Sequence, residues 1–267
     1  MPKLLNLISL RHIIKGGSSK PVSIQAEDEN GKVSSYVLKL FKKKHVDQNY
    51  SSAKEILGVE LAKDFDLPVS DYGIINFDHK YLKSFFDDKY ISELDIGYKF
   101  CSELKEGMVI YDSSGTNRFL KNYDLENVFG FDNIILNTDR GGYRYKPNLL
   151  VGDDDFLLID HETILPHYTS GSIEEQINYK NKFNSYIYTN HIFYNDLKKK
   201  RKKGIMFDET IMHLSNFDLK KIDNIFADFD KFNITCGNKN KCYSYFKWLK
   251  DNINDVYNTL NNRLFNG

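Results

Sequence analysis

Asp139, in Asn137-Thr138-Asp139-Arg140, and Asp160, in Ile159-Asp160-His161-Glu162, are the residues of this chain whose type and spacing best fit a reaction. Between them run Lys-Pro-Asn-Leu-Leu-Val, which reads as a strand, a Gly-Asp-Asp-Asp turn, and a second apolar strand, Phe156 to Ile159. One carboxylate can receive a proton from an attacking hydroxyl while the other holds Mg²⁺ on phosphate oxygens, so the pattern fits phosphoryl transfer. Equal steps back from the turn at Gly152 to Asp155 meet across an antiparallel ladder and place Asn148 roughly opposite Asp160. An amide oxygen beside a carboxylate is a reasonable half-shell for Mg²⁺.

The same chemistry needs a cation on the α and β phosphates. Lys39, in Tyr36-Val37-Leu38-Lys39-Leu40, can reach them from the roof of a cleft, and Glu55, opening the helix that follows, can hold it by an ion pair. Taken singly, a strand lysine and a first-turn glutamate are ordinary surface residues, Asp139 is an ordinary loop acid, and Gly16-Gly17 is an ordinary turn. Their order carries more weight: glycine loop, strand lysine, helix glutamate, loop aspartate, asparagine, strand-end aspartate.

The elements that must position these residues follow from periodicity. Leu5 to Leu10 alternates as a strand, and Val22 to Ala26 and Val33 to Phe41 form a hairpin across Glu29-Asn30-Gly31-Lys32, with Lys15-Gly16-Gly17-Ser18-Ser19-Lys20-Pro21 as a glycine-rich loop before it. Ala53 to Phe65 carries a helical stripe ended by Pro68, and Asp71 to Phe77 returns to strand. Asp78 to Phe119 reads as mixed, with short strands at Tyr90 to Ile96 and Met108 to Tyr111 and the character of a hinge. Leu125 to Leu136 is a buried helix leading to Asn137, and helices are expected at Ile173 to Phe183, Ile192 to Lys199, Leu219 to Phe229 and Cys242 to Leu264.

With 267 residues, 41% of them hydrophobic and 14% aromatic, the chain can bury a full core and has room for two lobes. Lys plus Arg and Asp plus Glu balance at 37 each, so no global field recruits nucleic acid or an anionic membrane. Three cysteines, Cys101, Cys236 and Cys242, form no C-x-x-C pair, which argues against a disulfide framework and for a reducing cytoplasm. The opening Met-Pro-Lys-Leu-Leu-Asn reads as a first strand rather than a signal segment, and no run approaches the roughly 18 apolar residues of a membrane span. The basic run Lys198-Lys199-Lys200-Arg201-Lys202-Lys203 could grip nucleic acid, but reads first as a solvated helix end. His161, His167 and His191 have no metal-ligand spacing, and His161 reads as a hydrogen-bonded neighbour of Asp160.

Lys15 to Pro21, Val37-Leu38-Lys39-Leu40, Glu55-Ile56-Leu57-Gly58-Val59-Glu60-Leu61-Ala62 with Leu67-Pro68-Val69, Ile135 to Arg140, Pro147-Asn148-Leu149-Leu150 and Leu158-Ile159-Asp160-His161 resemble, in order and spacing, the HipA-like kinase family. The likeness runs from about residue 11 to 162, and Asn190-His191-Ile192-Phe193-Tyr194 is similar to the family's helical lobe. The resemblance implies an α+β, bilobal protein-kinase-like fold. Residues 1–100 would form an N-terminal antiparallel sheet lobe with one main helix covering ATP, and residues 101–267 a mostly helical catalytic lobe. It also implies binding of ATP and Mg²⁺ and phosphorylation of serine or threonine on a protein, in some relatives as the toxin of a toxin–antitoxin pair, with an antitoxin or other regulatory partner. Carried over, Asp139 is the base, Asp160 with Asn148 the Mg²⁺ ligands, Lys39 the phosphate lysine, Glu55 its partner, and Gly16, Gly17, Ser18 and Ser19 the phosphate-covering loop. Ser18 and Ser19 also lie where autophosphorylation could block the nucleotide.

One departure bears on the chemistry. The family pattern resembles D-R-x-x-x-N-P-N, whereas here position 144 is Arg, the Pro-Asn pair arrives two residues late, and Lys146 stands where an asparagine ligand is expected. A protonated lysine ~4 Å from a divalent cation costs roughly 8 kcal/mol at an effective dielectric of 20. Either Asn148 takes over, or Lys146 turns toward a phosphate, or one metal site is lost and the chain is a nucleotide-responsive pseudokinase. Residues 146 and 148 of a strand share a face, so alternation does not choose.

Overall fold

The computed structural model describes residues 1–15, 19–112, 123–141, 146–153, 155–168, 178–200 and 206–265. The chain divides into two compact units, Met1–Leu57 with Ser70–Glu106 and Asn224–Gly237, and Gly58–Val69 with Gly107–Asp223 and Asn238–Gly267. The mixed α+β composition expected from sequence is present in the element order. No helix among the described residues is long and apolar enough to cross a membrane.

The first unit is built on five strands, β1 (Lys3–Ile13), β2 (Val22–Asp28), β3 (Val33–Leu38), β4 (Tyr72–Ile75) and β5 (Lys99–Glu103), closed in the order β1-β2-β3-β5-β4. An antiparallel sheet was expected, but the barrel closes on a parallel seam that pairs Lys3–Leu5 with Gly73–Ile75. A parallel return needs a long crossover, and the helices between β3 and β4 supply it. Gly73 permits the seam, since a Cβ there would lie 2.7 Å from Leu5 side-chain atoms and 2.8 Å from the Lys3 carbonyl oxygen. Alternate residues of the strands, Val22, Ile24, Ala26, Tyr36, Leu38 and Cys101, point into one apolar core with Leu82 and Leu94.

The β2–β3 hairpin forms where its turn signal predicts it. Asp28 Oδ1 accepts from the backbone N–H groups of Asn30 (2.9 Å) and Lys32 (3.0 Å), and Gly31 takes φ +77°, which suits glycine. Two helices follow, α1 (Lys43–Asn49), which the apolar pattern does not announce, and α2 (Ser51–Asp64). Left-handed Tyr50 (φ 55°) separates them. Tyr90 to Ile96, expected as a strand, is not one: a 3₁₀ turn over His79–Ser84 leads to α3 (Asp88–Ser92), whose first turn is capped by Asp87 accepting from Tyr90 N–H at 2.7 Å. The strand of this region is β5, whose partners β3 and β4 are distant in sequence.

In the second unit β6 (Val109–Ile110), β7 (Leu149–Val151) and β8 (Phe156–Leu158) form an antiparallel sheet, with β6 inside the expected Met108 to Tyr111 run. The buried helix before Asn137 is α4 (Leu125–Ile134), started by Asp124 accepting from Asn127 N–H at 3.1 Å. After α5 (Tyr179–Asn184) and α6 (Tyr194–Lys200) comes α7 (Asp208–Asn216), not anticipated from the pattern, and then α8 (Lys220–Lys231), most of which belongs to the first unit. Residues 173–177 of the expected Ile173 helix lie outside the described residues. The long C-terminal stripe is two helices, α9 (Lys239–Asp251) and α10 (Ile253–Phe265). They part at Asn252, whose backbone leaves the helical conformation (φ −118°, ψ 33°) and whose Nδ2 bonds the Trp248 carbonyl at 2.8 Å beside its own N–H at 3.0 Å.

Candidate active site

The Asp139 loop hangs from the C-terminus of α4. Ile135 caps the helix, Leu136 follows at φ 53°, the Leu136 N–H bonds the Asn133 carbonyl at 3.3 Å, and the Asn137 N–H bonds the Asp132 carbonyl at 2.8 Å. This is the two-bond termination usually made by glycine at the left-handed position. Leucine occupies it here, and its side chain is buried. The turn leaves Asn137 inside the protein, where its side chain and carbonyl are engaged. Its Nδ2 donates to Asp132 Oδ1 (2.9 Å), its Oδ1 accepts from Asp139 N–H (3.1 Å) and the Thr163 hydroxyl (3.2 Å), and its carbonyl accepts from the Tyr186 hydroxyl.

Asp132, wholly buried, anchors the loop from below. Its Oδ2 accepts from Arg140 Nε and from His191 Nε2 (2.9 Å). Burial alone would raise the Asp132 carboxyl, but the Arg140 guanidinium and the His191 hydrogen bond outweigh it and bring it down to about 2. His191 Nδ1 accepts from the Phe193 N–H at 3.1 Å, so its proton sits on Nε2, facing Asp132. Burial lowers the His191 pKa, so the ring is neutral at pH 7. The guanidinium continues to the Asn148 carbonyl and reaches within 3.5 Å of His161 Nε2. His161, read from sequence as a neighbour of Asp160, is thus also a contact of Arg140.

Asn148 and Asp139 are tied together. Asn148 Nδ2 donates to the Asp139 carbonyl (3.0 Å) and Asp139 Oδ2 (3.2 Å). An amide fixed by its nitrogen presents its oxygen the opposite way. Lys146 Nζ lies 3.8 Å from Asp139 Oδ2, which decides a question the strand pattern left open: the lysine is directed at the loop aspartate. The β7–β8 register pairs Leu149 with Leu158, and the Ile159 N–H bonds the Asn148 carbonyl at 3.1 Å, so Asn148 faces Ile159 rather than Asp160. The turn closes tightly between Gly152 and Asp155, and that fixes the ladder one residue short of the expected pairing. Asn148 (φ 45°) and Asp160 (φ 62°) both leave the ladder in the left-handed conformation, which Asn and Asp tolerate best among residues with a Cβ.

Asp160 and Glu162 present carboxylate oxygens within 4.8 Å of one another. Two carboxylates side by side offer the oxygen donors that hard cations such as Mg²⁺ take. Gly58 of α2 lets the backbone of that helix lie against the same turn, since a Cβ there would sit 2.3 Å from His161 Cβ.

In the first unit, Lys39 follows β3 directly and stays attached to the barrel through its N–H to the Phe100 carbonyl (3.0 Å). Its ammonium donates to Glu55 Oε1 of α2, with the lysine side chain 11% and the glutamate 1% exposed. Glu55 is therefore a buried partner one turn inside the helix, not a surface residue at its start. Of the glycine-rich loop, Gly16, Gly17 and Ser18 lie outside the described residues, Ser19 is buried, and the Ile14 N–H closes the loop base on the Pro21 carbonyl at 2.8 Å. Arg144, Arg201, Lys202 and Lys203 lie outside the described residues, while Lys198 to Lys200 form the last turn of α6.

Sequence reasoning assigned no role to Asp132, Asn137, His191 or Tyr186. A signal was present: an acid inside the apolar run Phe131 to Leu136 must find a cationic or hydrogen-bonding partner to be buried. A profile of the HipA-like kinases matches residues 8–222. No curated protein matches the chain. Among solved structures, one titled "FAT and kinase domain of CtTel1" is similar over 97% of this chain and 22% of its own length, at 10% identity and a TM-score of 0.28.

Proposed function

This chain belongs to the HipA-like kinase family, and on that premise we propose that it is a phosphotransferase that moves the γ-phosphate of ATP, with Mg²⁺, to a serine or threonine hydroxyl of a protein. The observation that carries the reading is the lock between Asp139 and Asn148. One amide fixes the proton acceptor and, by the same bond, aims its own oxygen elsewhere. Mg²⁺ would be held by Asp160 and Asn148, with Glu162 beside them, and supplies charge neutralisation on the phosphate oxygens.

Asp139 accepts the hydroxyl proton as the acceptor oxygen forms the new bond to phosphorus and ADP departs. Lys39, oriented by Glu55, meets the α and β phosphates as a fixed cation. Lys146 beside Asp139 holds the base in place and offers positive charge where the transferred phosphoryl group carries negative charge. A toxin-like role, with an antitoxin or other regulator as partner, fits the family and rests on it alone.

The test is radiolabelled phosphate transfer by wild type, Asp139→Asn and Asp160→Asn, with thermal unfolding as the control for folding. Loss of the base should lower the rate by about 10²–10⁴-fold, and loss of the metal ligand should abolish transfer. Full activity in both variants removes the assignment. The 3.8 Å approach of Lys146 to Asp139 favours a second reading, a nucleotide-responsive pseudokinase in which the base is neutralised. That reading expects ATP to raise the melting temperature with no transfer at all.

A further inference from the structure

A cleft of about 500 Å³ opens in the second unit beside the Asp139 loop. This is within the roughly 300–1,000 Å³ of pockets that take a ligand. Thr138 and Arg140, the two neighbours of Asp139, are in its wall, with Leu136, Pro166, Ile187 and Lys182 around them. Its depth is rigid, because Arg140, Asn137, Tyr186 and His191 are held by the Asp132 network.

Two properties specify its occupant. The first is charge: among the described residues, none lining the cleft is an aspartate or glutamate. The Arg140 cation is matched by Asp132, whereas Lys182 is exposed and makes no ion pair among the described residues. Among the described residues, then, no carboxylate offsets the Lys182 charge at the rim of a concave wall, where field lines concentrate. The second is shape and polarity. Leu136, Pro166 and Ile187, the last 57% exposed, give an apolar wall next to that cation. A peptide segment with an acidic side chain satisfies both.

We propose that this cleft seats the acceptor segment that delivers the target hydroxyl to Asp139, and that Lys182 selects an aspartate or glutamate close to that hydroxyl. The inference rests on the reading of Asp139 as the proton acceptor for the choice of occupant, while the binding preference can be measured without turnover. The probes are two fluorescent peptides of equal length, one with a serine flanked by glutamates and the other with glutamines in their place. Binding by anisotropy is compared for wild type, Lys182→Gln and Lys182→Glu at low salt, with thermal unfolding showing that the exposed position leaves the fold intact.

Wild type should prefer the acidic peptide by about tenfold or more, since a charge on the rim of a cleft acts through steering and complementarity. Lys182→Gln should remove the preference and Lys182→Glu should invert it. Equal binding of both peptides by wild type, or an acidic preference that survives Lys182→Glu, overturns the proposal. Phosphate transfer to the same peptides separates the two claims. Discrimination without transfer sinks the kinase reading and keeps the cleft, and transfer without discrimination does the reverse.

Discussion

Asp132→Asn is the most informative substitution for the frame that carries the site. The carboxylate is wholly buried, and its two oxygens take hydrogen bonds from Asn137, Arg140 and His191. An asparagine keeps the shape but offers one acceptor oxygen and turns an NH₂ toward groups that are themselves donors. It also leaves the Arg140 guanidinium, 0% exposed, without its counterion. Removing one partner of a buried pair destabilises by about 3–5 kcal/mol. The pKa gives a second figure: an aspartate ordinarily at 3.8 and held at about 2 stabilises the fold by about 2 kcal/mol. The two agree in order of magnitude, the larger including the mispaired donors. At about 2–4 °C per kcal/mol for a chain of this size, the melting temperature should fall by about 10 °C.

The pH dependence follows from the sign of the shift. The folded carboxyl binds its proton more weakly than the unfolded one, so the stabilisation is complete above the ordinary aspartate value and is lost as pH falls through about 2. His191, lowered by burial, acts in the same direction, because below its ordinary value near 6.5 the unfolded chain takes up a proton that the folded ring refuses. Thermal and urea unfolding of wild type and variant from pH 7 down to about pH 2 measures both effects. A loss under about 1 kcal/mol at pH 7 would show that the three hydrogen bonds are not what holds the loop.

Gly58→Ala would stabilise an ordinary helix interior by up to about 1 kcal/mol, but the new Cβ would lie 2.3 Å from that of His161. Urea unfolding should instead show a loss of about 1–3 kcal/mol, and a gain would show that the turn has room to yield. Lys99 is buried at the start of β5, donates to the Gly97 carbonyl at 2.9 Å, and is held by burial down to about 8. Lys99→Met should raise stability at pH 7 by about 2 kcal/mol after loss of that bond. The gain should shrink as pH rises from about 8 toward 10.5, where the folded lysine of the wild type is already neutral, and a gain independent of pH would disprove the charge as its origin.

Much of the site's order along the chain is legible in the residues. The β2–β3 hairpin is specified by Asp28, Asn30 and Gly31, the buried helix before Asn137 by its apolar run, and the paired aspartates by the strand-turn-strand pattern between them. These are local properties: backbone periodicity, turn conformation and capping involve residues a few positions apart, and side-chain type alone decides them. The long stripe from Cys242 misled for the same reason, since it continues through Asn252 while the backbone leaves the helical conformation there (φ −118°, ψ 33°) and the Asn252 side chain turns back onto the Trp248 carbonyl.

Other features required the assembled chain. The parallel β1–β4 seam pairs residues 70 positions apart, and nothing in either strand marks it before Gly73 and Leu5 meet. Asp132 finds His191 across 59 positions, and Lys146 finds Asp139 only once the chain has folded back on itself. Sequence by itself determined which residues could do phosphate chemistry and in what order they come. Tertiary structure decided that Asn148 faces Ile159 and holds Asp139, that Lys146 is directed at the same aspartate, and that an acid unassigned by sequence reasoning supports them all. The physical reason is desolvation: a buried charge or amide must be satisfied by whatever groups packing brings near, and those groups are distant in the chain.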